Sequence, residues 1–100
     1  MDKVLLEKRG EVAYVTINRP ERMNACDGET YDTLADIWSQ VRDDAELRVG
    51  ILTGTGERAF CAGSDIRADS FGEADRIPGG ALFPVMNAMN KPIIAAINGH

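Results

Sequence analysis

The residues best suited to chemistry lie in the stretch Ala59-Phe60-Cys61-Ala62-Gly63-Ser64-Asp65-Ile66. Small residues and a glycine precede an acidic residue of the kind that caps a helix. Backbone N–H groups exposed at a helix start favour negative charge, so the stretch is expected to form half of an anion-stabilising site. Other chemistries find less support. A nucleophilic Cys61 needs a base nearby, and the only histidine is His100. Cys26 and Cys61 have no metal-like spacing, and each is expected to be a buried, reduced thiol. The acidic cluster Asp65, Asp69, Glu73 and Asp75 reads as a capping residue plus a solvated loop, with general acid or base work as the sharper alternative. Gly54-Thr55-Gly56-Glu57-Arg58-Ala59 fits a loose dinucleotide fingerprint, but Phe60 to Gly63 is a poor opening for the helix it requires. A tight turn after a strand is the simpler reading.

Composition narrows the partners. One hundred residues, 44% of them apolar and 27% charged, fit one small soluble domain at most. The net charge of −5 argues against nucleic acid, which needs a basic face. A small anion held by a few arginines and amides stays open. The longest apolar run, Ile93 to Ile97, is too short to cross a bilayer. With no signal-peptide pattern after Met1, a cytoplasmic location is expected.

These residues need elements to hold them. Val12 to Asn18 alternates with period two and β-branched enrichment, and residues 3–8 precede it across Arg9-Gly10, so an antiparallel hairpin is expected. Pro20 ends the second strand. After a loop, Asp27 is a suitable N-cap for a helix over Gly28 to Arg42. Thr30, Leu34, Ile37, Trp38 and Val41 share one stripe of it. Trp38 there is most simply core, and ligand stacking is the sharper alternative. Val49 to Thr53 reads as a buried strand, and the order strand, strand, helix, strand implies α/β layering with a crossover. Residues 67–80 suggest a helix turn and a mobile loop. A helix over Ala81 to Asn90, with Pro84 in its first turn, and a second buried strand over Ile93 to Ile97 complete the expectation.

In combination the motifs are more specific. Asn18-Arg19-Pro20, Met23-Asn24-Ala25, Thr53-Gly54, Ala59 to Ile66 and Asn90-Lys91-Pro92 through Asn98-Gly99 resemble, in order and spacing, the crotonase superfamily, that is, the enoyl-CoA hydratase/isomerase family. The resemblance implies an α/β spiral of strand-strand-helix turns binding an acyl-CoA. Coenzyme A would enter as part of the substrate, with no prosthetic group. Two backbone N–H groups would stabilise an enolate-like state, and the first maps onto Ser64, through its backbone and not its hydroxyl. The adenine-contacting backbone maps onto Ala62, with Asp65 and Ile66 alongside. The loop lining the pantetheine path maps onto Arg22, Met23, Asn24 and Ala25. Arg22 and Arg67 are placed to meet CoA phosphates, or else they are surface arginines solvating loops.

In the family a glycine run after the Asn-Gly turn supplies the second N–H, and the catalytic acids follow it. Residues 1–100 are therefore expected to be the N-terminal portion of one crotonase-like domain, incomplete at the C-terminus and inactive alone. The parent protein is expected to be an enoyl-CoA hydratase or isomerase that assembles as a homotrimer or hexamer, without nucleic acid or membrane as partner. The alternatives are a non-catalytic acyl-CoA- or partner-binding fragment and a nucleotide-binding α/β domain. Calorimetry with CoA beside a turnover assay separates the first alternative, and a thermal shift with dinucleotides the second.

Overall fold

The computed structural model describes residues 2–61 and 82–99. Its order is β1 (Val4–Arg9), β2 (Val12–Ile17), a 3-10 turn (Pro20–Arg22), α1 (Gly28–Asp43), β3 (Val49–Gly54), α2 (Leu82–Asn87) and β4 (Ile93–Ala95). The strands form one sheet in the order β1-β2-β3-β4. β1 and β2 are an antiparallel hairpin turning at Gly10, whose φ of +58° suits glycine. β3 runs parallel to β2, with α1 as the crossover, and β4 runs parallel to β3. All but β4 agree with the expected strands to within a residue.

Alternation decides which side of the sheet is covered. Ala13, Val15 and Ile17 of β2 are buried, as is Val4 of β1, and they join Leu34, Ile37, Trp38 and Val41 of α1 in one core. The expected stripe of α1 is its buried stripe, Thr30 included. Asp27 caps the helix as anticipated, accepting from Thr30 N at 2.8 Å. Trp38, fully buried, lies over Gly50 of β3, so it is a core residue. Each fully buried large side chain in this core contributes roughly 1.5–3 kcal/mol.

The structure corrects three expectations about these elements. β3 is half-buried rather than wholly buried, because α1 covers only one face of the sheet. Similarly, the expected buried strand over Ile93 to Ile97 is a three-residue strand at the edge of the described sheet. Ile94 is 55% and Ile97 69% exposed. The run is apolar throughout, but only Ile93 and Ala95 share register with Gly50 and Leu52 on the side facing α1. Finally, α2 stops at Asn87 instead of Asn90. Ala88 N bonds to both Pro84 O and Val85 O, and Met89 N bonds to Met86 O, a tightening last turn ahead of Pro92.

Candidate functional site

Three parallel strands end at the same edge of the sheet, and the segments leaving them meet there. Such edges are where open α/β sheets bind ligands. The first segment, Arg19 to Asp27, folds tightly on itself. Met23 N bonds Pro20 O, Asn24 N bonds Arg19 O, and Ala25 N bonds Arg22 O at 2.8–3.1 Å. Met23 and Asn24 both take the left-handed conformation, φ 55° and 57°. Asparagine tolerates it and methionine does so at a cost, which marks a segment held by its surroundings.

The holding group is the Asn24 side chain, only 1% exposed. Its Oδ1 accepts from Arg19 N at 2.9 Å. Its Nδ2 donates to Thr55 O at 3.1 Å and to Ala59 O at 2.8 Å. One amide thus ties the loop after β2 to the turn after β3. Gly54 makes room for it: a Cβ at that position would collide with Phe60 O and come within 2.6 Å of Asn24 Nδ2.

The segment after β4 closes on the same turn. Asn98 Nδ2 donates to Gly54 O at 2.7 Å and to Gly56 O. Thr53 Oγ1 donates to Ala96 O at 2.8 Å. Gly99 lies so near Arg58 that an added Cβ would be 2.6 Å from its carbonyl oxygen. Residues 54–61 are therefore gripped from both sides, directly ahead of Ala62. Between the Pro20–Asn24 loop and the Thr55–Ala59 turn lies a cleft of about 190 Å³.

Electrostatics brace the other end of the loop. Arg19, buried, donates from Nη1 to Ala25 O and pairs with Asp27 at 3.6 Å. Asp27 also accepts from Lys3 Nζ at 2.7 Å and from Thr30 Oγ1 at 2.6 Å. Burial alone would push the Asp27 carboxyl up. The Lys3 ammonium, the two Thr30 donors and the Arg19 guanidinium outweigh it and hold the carboxyl well below the usual carboxylate range.

Of the expected site residues, the structure brings Asn24 and Ala25 into this buried loop and leaves Arg22 half-buried beside them. The hydrogen-bonding groups of the Asn24 side chain face protein partners, so this side chain positions the loop. Ala62, Ser64, Asp65, Ile66 and Arg67 lie outside the described residues, as do the acidic cluster and the expected loop over 67–80. The Gly54-x-Gly56 segment is a turn: residues 55–58 bend and no helix begins among 55–61, which removes the dinucleotide geometry.

Sequence reasoning missed three groups. Arg19 looked only like the residue before a proline, although an aspartate eight positions later offered it a partner. Lys91 donates to Val41 O at 2.7 Å and to Asp44 O at 2.6 Å, satisfying carbonyls at the end of α1. The two cysteines, distant in sequence, have their sulfurs 3.9 Å apart, and Cys61 is half-buried rather than buried. Among the described residues no cluster of three His, Cys, Asp or Glu could hold a metal, and no helix is long and apolar enough to cross a membrane.

The arrangement matches known proteins. The family model for enoyl-CoA hydratase/isomerase matches residues 7–100. The chain belongs to the enoyl-CoA hydratase/isomerase family. It is 45% identical to the (E)-benzylidenesuccinyl-CoA hydratase of Thauera aromatica, a match covering 97% of this chain and 40% of that protein. It is 44% identical to the carnitinyl-CoA dehydratase of Proteus mirabilis, over 95% of this chain and 38% of that one. The crystal structure of an enoyl-CoA hydratase from Mycobacterium marinum superposes with a TM-score of 0.80 at 40% identity, covering 97% of this chain and 38% of that chain. The crotonase fold is shared with these enoyl-CoA hydratases, and the chain spans about 40% of the length of the relatives it matches.

Proposed function

We propose that the complete protein adds or removes water at the double bond of an acyl-CoA thioester, and that residues 1–100 supply the first half of its site. The observation that carries this is the convergence of the Asn24 clasp and the Asn98-Gly99 segment on residues 54–61, in a chain of this family. The relatives favour water chemistry, since their names are those of a hydratase and a dehydratase of CoA thioesters.

In this reading the clasp rigidly presents the start of the donor segment. The Ser64 N–H points at the thioester oxygen as negative charge develops there. A fixed donor of this kind lowers the barrier by about 3–4 kcal/mol. Ala62, Asp65 and Ile66 meet the adenine end of coenzyme A, and the Arg22–Ala25 loop borders its pantetheine arm. Arg22 and Arg67 offer forked donors to its phosphates. The cleft beside Met23 and Thr55 gives part of the coenzyme a recess. No prosthetic group takes part. The same reading has the complete protein cytoplasmic and assembled as trimers or hexamers.

Replacing Ser64 with proline in the complete protein deletes the N–H. Turnover of an enoyl-CoA substrate should fall about 10²–10³-fold, while Ser64→Ala keeps near wild-type rates. Undiminished turnover by a Ser64→Pro protein with a native circular dichroism spectrum would falsify the assignment.

A further inference from the structure

The two thiols supply an observation that the acyl-CoA reading does not use. Cys26 closes the loop after β2, immediately before the cap of α1, and is 2% exposed within the core. Cys61 ends the turn after β3, is half-buried, and packs against the same core. Neither is in a disulfide, and their sulfurs lie 3.9 Å apart. The segments that carry them are tied together, since the Asn24 side chain donates to Ala59 O at 2.8 Å, each two residues from a cysteine. A disulfide needs the sulfurs at about 2.05 Å. Forming the bond requires side-chain rotation to close the remaining gap between the sulfurs.

We propose that Cys26 and Cys61 are a reversible oxidation site, forming an intramolecular disulfide with a hydroperoxide as oxidant. Cys61, the less buried residue of the two, takes one peroxide oxygen to become a sulfenic acid, and the rest of the hydrogen peroxide leaves as water. Cys26 then attacks the Cys61 sulfur. The S–O bond breaks as the S–S bond forms, and the hydroxyl departs with the Cys26 proton as a second water. Two thiols lose two electrons and one peroxide is reduced. The hydrogen bond to Cys61, with burial, holds the Cys26 thiol well above its ordinary pKa. Cys61 is therefore the sulfur oxidised first, and Cys26 becomes the nucleophile only as its proton passes to the departing hydroxyl.

The test treats the folded full-length protein with hydrogen peroxide, then denatures it, alkylates free thiols and maps the peptides. A Cys26–Cys61 cross-linked peptide that disappears with dithiothreitol is expected. In Cys26→Ser, a Cys61 sulfenic acid should persist long enough for dimedone to trap it. In Cys61→Ser, oxidation of Cys26 should slow about tenfold or more, as its burial dictates. Cys61 passing to sulfinic or sulfonic acid while Cys26 remains alkylatable would overturn the proposal. So would cross-links only between molecules, or unchanged Cys26 oxidation in Cys61→Ser. These readouts concern sulfur alone and stand whether or not the acyl-CoA assignment does.

Discussion

Asn24 shows how one side chain can tie separate loops of the chain together. Its amide makes three hydrogen bonds, and its backbone occupies a conformation that asparagine accepts more readily than most residues. Asn24→Ala leaves Arg19 N and two carbonyls to find new partners in a buried place. Urea unfolding should show a loss of about 2–4 kcal/mol, and a midpoint equal to wild type would refute the clasp. Asp27 adds a pH-dependent term. Its folded-state pKa lies below the ordinary carboxylate value, so its stabilisation is complete above about pH 4 and fades as pH falls below it. Acid titration of stability should show this decline in wild type and a flatter limb in Asp27→Asn. Parallel limbs would mean that Asp27 is not the group responsible.

At the scale of elements, α1 and the sheet are joined by a close fit rather than by area alone. Gly50 lies beneath the Trp38 ring, and an added Cβ would sit 2.5 Å from Trp38 Cζ3. Trp38 is fully buried. Gly50→Ala should therefore cost about 1–3 kcal/mol, although alanine is the better strand residue on conformational grounds. A stabilised variant in thermal melts would show that the ring moves freely. Lys91 works at the same interface. By donating to the last carbonyls of α1 it links the start of β4 to the end of the crossover helix, where a cation also meets the negative end of the helix dipole.

For the molecule as a whole, the two faces of the sheet differ. One is covered by α1. On the other, Tyr14, Ile51 and Ile94 stand in register across β2, β3 and β4, with Ile94 largely exposed. An apolar band that reaches the edge of the described sheet favours association between molecules. The 100-residue chain is expected to self-associate with rising concentration, and Ile94→Lys to return it toward monomer by light scattering. Equal masses for the two proteins would rule out this face as the cause.

The hairpin, the capped helix and its stripe, and the strand after it were legible because each depends on residues close in sequence. Backbone periods of two and 3.6 turn local spacing into faces, and Asp27 needs only Thr30 to cap the helix. The family was legible too, since its motifs are short and their order survives in one dimension. The burial of β4 was not legible, because an apolar run does not say which of its faces a neighbour covers. Nor was the site's wiring. That Asn24 reaches Ala59, that Asn98 reaches Gly54 and that Cys26 touches Cys61 follows from parallel strands, which deliver distant segments to one edge of the sheet. The spacing of Ala59 to Ile66 named a donor segment. Only the tertiary structure decided what grips the start of that segment, because gripping it takes hydrogen-bonding groups drawn from three separate parts of the chain.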